Sequence, residues 1–164
     1  MMINDQKLKE TLAAHLNMGK AFMPVDKILK VMSFDKVGIR PDNLPYSFYE
    51  LFFHIQYAQK DILEYCLNDN YETPSWPEDY WPGESSPANK KEWTDLIDEY
   101  LDARDKLRKF ALSPGRTLTD RITEDTDHTI FREVLLVIEH SAYHTGQLVL
   151  VARLLEEYPK ENSG

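Results

Sequence analysis

The sequence contains almost no cysteine. Cys66 is the one cysteine among 164 residues, so the chain cannot form an internal disulfide, and a Cys-x-x-Cys metal or redox site is excluded. Chains without disulfides are typical of reducing compartments, and we expect a cytoplasmic protein. Cys66 lies near the end of a predicted helix, where a small core residue is a more common role for cysteine than a nucleophile.

Long hydrophobic segments are also missing. The longest apolar run covers residues 148–155 and is interrupted by Arg153. A membrane-spanning helix needs roughly 20 apolar residues. The N-terminal sequence MMINDQKLKE lacks the apolar core of a signal peptide. We therefore expect a soluble protein that has no membrane partner.

Basic residues are too few to balance the acidic ones. Lysine and arginine number 19, aspartate and glutamate number 28, and the net charge is -9. A field of this sign repels the phosphate backbone, so we expect no nucleic-acid partner.

The rest of the composition is that of a folded globular protein. Hydrophobic residues make up 42%, aromatic residues 12% and charged residues 29% of the chain. A chain of this length buries enough surface to fold without a disulfide or a structural metal. We found no internal repeat, and we expect a single domain over residues 1–164.

Helical patterns fill the stretches between the nine prolines, and these stretches contain little glycine. In the first, Leu8, Leu12, His15 and Leu16 recur at helical spacing. We found no strand-like alternation, so the sequence predicts an all-α bundle of four main helices. The predicted helices cover residues 5–19, a short piece after Pro24, and residues 47–67, 89–112 and 129–157.

The segment 68–88 is predicted to be a loop with an unusual content of tryptophan. It contains four prolines together with Trp76 and Trp81, in the sequence NDNYETPSWPEDYWPGESSPA. The two indole rings have two interpretations. They cover the end of the core, or they form the wall of a pocket or of an oligomer interface.

Two histidines in the last helix carry the clearest chemical signal. His140 and His144 are four residues apart, so they lie on one face of the helix and can bind one metal ion. That face also carries Val137, Leu148 and Val151, and it is predicted to point into the bundle. The alternative is that both are core histidines with ordinary hydrogen-bond partners.

His54 lies on the apolar face of the predicted helix 47–67. Metal sites in helical bundles are built from side chains on facing helices, so His54, His140 and His144 are candidate ligands of one ion. Three protein ligands with an open position are the arrangement of a catalytic site. Imidazole suits zinc, nickel, copper and iron alike. Glu50, four residues before His54, either orients that imidazole or completes a capping box with Ser47, and the second role is favoured.

The segment HSAYHTGQLVLVARLL resembles the HxxxHxGQ signature of the DinB-like (DinB/YfiT-like) superfamily, and SFYELFFHIQYAQKDIL is similar to its second core helix. The resemblance implies a four-helix bundle with up-down-down-up connectivity. It also implies a divalent metal, zinc or nickel with iron or manganese as alternatives, held by His54, His140 and His144. Gly146 would allow a close helix approach, and Gln147 would support the ligands.

The resemblance and the chemistry of a three-histidine site together suggest three functions. The first is a metal-dependent transferase that acts on a small-molecule substrate with a low-molecular-weight thiol. The second is a metal-dependent hydrolase, and the third is a non-catalytic, stress-related metal-binding bundle. The catalytic groups beyond the ligands stay unknown. The resemblance also implies a homodimer, with the aromatic patch of Trp76, Tyr80 and Trp81 as a candidate interface.

Overall fold

The computed structural model describes residues 5–17 and 21–159, and these residues form an all-helical protein. The described part contains no β-strand, only an isolated bridge between Arg121 and Thr129. Two single-turn 3₁₀ helices cover Phe34–Lys36 and Glu78–Tyr80. The α-helices are α1 (Asp5–Leu16), α2 (Val25–Val31), α3 (Phe48–Leu67), α4 (Lys90–Ala111) and α5 (Ile130–Leu154).

The long helices α3, α4 and α5 begin where the sequence predicts, because each has a capping side chain. Ser47, Asn89 and Thr129 each accept a hydrogen bond from the backbone N–H three residues later. At α3 the capping box is complete, since the Ser47 N–H also donates to the Glu50 carboxylate at 2.7 Å.

The last helix ends earlier than predicted, at Leu154 rather than at residue 157. Glu156 adopts a left-handed conformation with φ of 60°, which stops the helix. The side chain of Glu157 contacts the segment after α2. It forms an ion pair with Lys36 at 2.8 Å and accepts a hydrogen bond from the Ser33 N–H at 3.0 Å. Helix α1 ends at Leu16, and its predicted end at Gly19 lies outside the described residues.

Helix α5 packs against each of the other four α-helices, and α3 packs against both α4 and α5. Around them, α1 contacts α4 and α5, and the short α2 contacts α5. The all-α prediction is confirmed, and the up-down-down-up order of the four long helices stays a prediction. One core cluster is built around Phe52, which makes edge-to-face contacts with Trp93 and Tyr100 at 5.3 and 5.4 Å.

The buried face of α1 only partly follows the stripe of Leu8, Leu12, His15 and Leu16. Leu8 and His15 are exposed, and the face that packs inward carries Lys9, Ala13 and Leu16. Lys9 is buried because its ammonium group donates to two backbone carbonyls after α4, those of Ser113 and Arg116. Such a tertiary contact has no signature in the spacing of apolar residues.

Helix α5 is the most apolar helix of the described residues. By length and composition alone it is long and apolar enough to cross a membrane. This is weak evidence for a membrane span, since core helices of globular proteins meet the same criterion. The inward face is fully buried at Val137, Leu148 and Val151, as predicted. The outer face exposes large apolar side chains at Phe131, Leu135, Leu136, Tyr143, Leu150 and Leu154.

Candidate metal centre

Three histidines from two helices meet in the structure, as the sequence predicts. His54 comes from α3, and His140 and His144 come from successive turns of α5. The Nε2 atoms of His54 and His140 lie 3.0 Å apart. One ligand nitrogen from each of the three rings lies within 4.8 Å of the others. The contact between α3 and α5 therefore creates the cluster, which neither helix forms alone.

The environment keeps these imidazoles neutral. Burial lowers the pKa of both His54 and His140, and the neighbouring histidines lower these two pKa values further. The pKa of His140 falls to about 4. Burial also lowers the pKa of His144, although its contact with Gln147 partly opposes the shift. A neutral imidazole has the free lone pair that a metal ligand requires, so the cluster is ready to bind a cation near neutral pH.

Hydrogen bonds on the outer side of two rings point their Nε2 atoms inward. The backbone carbonyl of Tyr80 lies 3.2 Å from Nδ1 of His54, and Oε1 of Gln147 lies 2.5 Å from Nδ1 of His144. Both oxygens are acceptors, so each Nδ1 carries the proton and donates it. The Nε2 atom of each ring is then the unprotonated one, which is the arrangement found around metal-bound histidines.

Glu50 does not orient His54. Its carboxylate accepts from the Ser47 N–H and from the Arg40 guanidinium, whose Nε donates at 2.8 Å. The partner of His54 is instead the carbonyl of Tyr80, from the loop 68–88. Sequence reasoning missed this contact because every residue carries a backbone carbonyl, so the sequence has no signal for it. The favoured capping role of Glu50 is confirmed.

Gly146 does not allow a close helix approach within the described part of the chain. A Cβ atom placed on it would meet no atom within 4 Å, apart from its own helix and adjacent residues. Gly146 is exposed on the outer side of α5, so the role implied by the resemblance is wrong for the contacts between described residues.

The loop 68–88 forms a wall of the histidine cluster. The Trp81 ring stacks on His54, with centroids 4.3 Å apart and planes at 1°. The ring centroids of Trp76 and Tyr80 lie 6.1 and 6.3 Å from the ring centroid of His54. Both interpretations of the tryptophans hold in part. Trp81 also packs against the core cluster around Phe52, whereas Trp76 lines a cavity at the histidines and is 66% exposed. Tyr80 and Trp81 are only partly exposed in this wall, and the homodimer stays a prediction.

The remaining histidines and the cysteine lie away from this cluster. His15 is exposed on α1, and His128 contacts the Tyr65 hydroxyl at 3.0 Å. Cys66 is buried, and burial raises the pKa of its thiol to about 12. Since the thiolate is the nucleophilic form, Cys66 is a packing residue, as the sequence suggests.

The donor set fits a divalent ion of the first transition series. Zinc–nitrogen bonds are about 2.0–2.1 Å long, so two nitrogens about 3.0 Å apart can share one ion at an angle near 90°. Three imidazoles leave further coordination positions for water or a substrate atom. The donor set does not select the metal, because zinc, nickel and iron all accept imidazole.

The sequence model of the DinB superfamily matches residues 21–148. This chain belongs to the DinB superfamily. The matched segment contains all three clustered histidines and Gln147, so the resemblance seen in the sequence is confirmed. No curated protein and no solved structure matches the chain.

Replacing Gln147 with leucine tests how the His144 ring of this DinB-superfamily protein is held. The change removes the acceptor for the Nδ1–H of His144 while keeping a similar volume. We expect about tenfold weaker zinc or nickel binding, because loss of such partners typically costs 10- to 100-fold in metal affinity. The affinity is measured by competition with a chromogenic chelator. Affinity equal to that of the unmodified protein would show that the ring needs no such support.

The stability of the metal-free protein is expected to fall in mild acid. The folded pKa of His140, about 4, lies below its usual value of 6.5, so the unfolded chain binds the proton more tightly. The contribution of neutral His140 to the free energy of unfolding is complete above about pH 6.5, and it is lost as the pH falls from there towards 4. We expect a loss on the order of 1–3 kcal/mol, after allowing for solvent screening.

Urea unfolding of the unmodified chain and of His140→Gln, at pH values from 7 to 4, measures this loss. The carboxylates with lowered pKa values titrate in both proteins, so the difference between the two curves isolates His140. Parallel curves would contradict the expected coupling.

Proposed function

We propose that this DinB-superfamily protein is a metal-dependent transferase whose nucleophile is a low-molecular-weight thiol. The observation that carries the proposal is the convergence of three neutral imidazoles at the edge of an open cavity, with two of them oriented by acceptors behind the rings. His54, His140 and His144 would hold a divalent ion, with zinc and nickel as the first candidates. Such an ion lowers the pKa of a bound thiol and makes thiolate available near neutral pH.

The thiol must come from a second molecule. Cys66 is buried, and the pKa of about 12 keeps its thiol protonated. In the proposed reaction the sulfur forms a bond to an electrophilic carbon, and the bond from that carbon to its leaving group breaks. The electron pair departs with the leaving group, and the thiol proton goes to solvent. A cytoplasmic location agrees with this proposal, since small thiols are kept reduced there.

The residues around the cluster favour thiol transfer over hydrolysis. Hydrolysis of an ester or amide normally uses a general base beside the water. Among the described residues that line the cavity at the cluster, Asp61 is the one carboxylate. Asp61 lies seven residues after His54 on α3, about 10 Å along the helix axis, which is too far for it to deprotonate a water at the cluster. A thiolate needs no base once it has formed, so this environment suffices for transfer.

The test is alkylation of small thiols by the fluorogenic electrophile monobromobimane. Protein loaded with zinc or nickel is expected to accelerate the reaction of cysteine, glutathione or 2-mercaptoethanol at least tenfold over the uncatalysed rate. Chelation and His140→Ala are each expected to abolish the acceleration. Metal-loaded protein that accelerates none of these reactions would contradict the proposal. Chelator-sensitive hydrolysis of 4-nitrophenyl acetate would then identify a hydrolase, and no turnover of either kind would leave a non-catalytic metal-binding bundle.

A further inference from the structure

A cavity of about 250 Å³ opens beside the histidine cluster. Typical sites for drug-sized ligands measure about 300–1,000 Å³, so this cavity is small. Its volume fits a ligand group about the size of a single aromatic ring. Most of its lining is apolar or aromatic. The lining residues are His54, Ala58, Asp61, Ile62, Trp76, Tyr80, Leu136 and His140.

One end of this cavity is the metal-binding cluster, and the other carries a single negative charge. Asp61 lies seven residues after His54 on α3, which is about 10 Å along the helix axis. A carboxylate has about four lone-pair positions, and the hydroxyls of Tyr71 and Tyr80 use two of them. Asp61 therefore keeps the capacity to accept a hydrogen bond from a ligand.

Away from the histidine cluster, the charges around the cavity favour a cation. Among the described residues that line it, none is lysine or arginine. The rings of Trp76 and Tyr80 meet edge to face at 5.0 Å, and such aromatic faces attract positive charge. The loop that contributes both rings contains no basic residue, and its acidic residues are Asp69, Glu72, Glu78, Asp79 and Glu84.

We propose that this cavity binds the organic part of the substrate and selects a compact apolar or aromatic group that is cationic at its far end, against anionic groups. The inference rests on the proposed function in one respect, since it takes the histidine cluster as the reacting end of the site. Asp61 and Trp76 are the specificity-determining residues: Asp61 accepts from the cationic end, and Trp76 covers the ring.

Three benzyl thiols of nearly the same shape test the selection by charge. They are 4-(aminomethyl)benzyl mercaptan, which is cationic, benzyl mercaptan, which is neutral, and 4-(mercaptomethyl)benzoic acid, which is anionic. Titration calorimetry with zinc-loaded protein gives the three dissociation constants. We expect the cation to bind at least tenfold more tightly than the anion, with a ratio that falls as salt is raised. Equal affinities for cation and anion at low salt would overturn the proposal.

Single-residue variants test whether Asp61 and Trp76 cause the preference for the cationic thiol. Asp61→Asn is expected to weaken the cation about tenfold while leaving the neutral thiol within twofold. Trp76→Ala is expected to weaken all three. Glu84→Gln removes the same charge from the loop without lining this cavity, and it should leave the ratio unchanged. An unchanged ratio in folded Asp61→Asn would also overturn the proposal, and if that variant does not fold, the ratio in the unmodified protein decides.

The same titrations on metal-free protein, followed by tryptophan fluorescence, separate this inference from the proposed function. The cavity lining does not depend on a metal, so the preference for the cation is expected to persist there with lower affinity. A protein that binds no metal but keeps the preference would contradict the proposed function alone. A protein that binds metal and thiols without the preference would contradict the cavity assignment alone.

Discussion

Alanine at any one of His54, His140 and His144 is expected to remove the divalent ion from the protein. One ligand nitrogen from each of the three histidines converges on the same point, so each variant removes one of three ligands. A structural zinc site gains about 10–16 kcal/mol from four ligands, or about 3 kcal/mol for each. Loss of one ligand should therefore weaken binding at least about a hundredfold.

Mass spectrometry of the metal content of untagged protein, purified without chelators, measures this effect. We expect near one ion per chain in the unmodified protein and little in each variant. His15→Ala is the matched control, since His15 is exposed on α1. Added zinc or nickel should also raise the melting temperature of the unmodified and control proteins, because an ion at 100 times its dissociation constant adds about 2.7 kcal/mol.

Little metal in the unmodified protein, even after reconstitution with zinc or nickel, would contradict this prediction. The three histidines, of which His140 is only partly buried, would then be packing residues held by Tyr80, Gln147 and one another. Both enzymatic functions would be abandoned, and the protein would be treated as a structural bundle.

Alanine at Gly38 is expected to destabilise the protein by about 3 kcal/mol and to disturb the wall of the histidine cluster. A Cβ atom at this position would overlap the Cβ of Ser86 and lie 3.0 Å from its Cα, so the backbone must move. The loop is held next to this point, because the Ser47 hydroxyl donates to the Ser85 carbonyl at 2.6 Å. A shift here is transmitted to Trp81, which stacks on His54.

Gly83→Ala is the control in the same loop, since a Cβ there meets no atom within 4 Å beyond its adjacent residues. We expect it to be neutral or slightly stabilising. Urea unfolding measures the stability of both variants, and near-ultraviolet circular dichroism reports the packing of Trp81. Equal stability of the two variants would show that the loop accommodates the added methyl group without strain.

The sequence located the helices and the histidines because both produce regular patterns. Apolar residues at helical spacing identify α3, α4 and α5, and their predicted starts at residues 47, 89 and 129 lie one residue before the observed ones. The four-residue spacing of His140 and His144 identifies one half of the cluster. Their burial against α3 follows from the apolar face that they share with Val137 and Leu148.

The helical spacing of apolar residues does not predict the structure correctly where a contact between distant residues determines it. Lys9 on the buried face of α1 is stabilised by carbonyls more than 100 residues away in the chain. The end of α5 moves to Leu154 because the chain turns at Glu156 and the Glu157 side chain reaches the segment after α2. No local preference encodes either contact.

By itself, the sequence determined an all-α chain with histidines on the inner faces of two helices, because helix periodicity is a local property of the chain. Its HxxxHxGQ segment also identified the DinB superfamily. Tertiary structure alone decided the rest of the site. It brought His54 to within 3.0 Å of His140, assigned the Tyr80 carbonyl rather than Glu50 as the partner of His54, and placed Asp61 and Trp76 at one cavity. The first feature depends on the contact between α3 and α5, and the other two depend on how a proline-rich loop packs against α3. The free energy of that packing comes from contacts between distant residues.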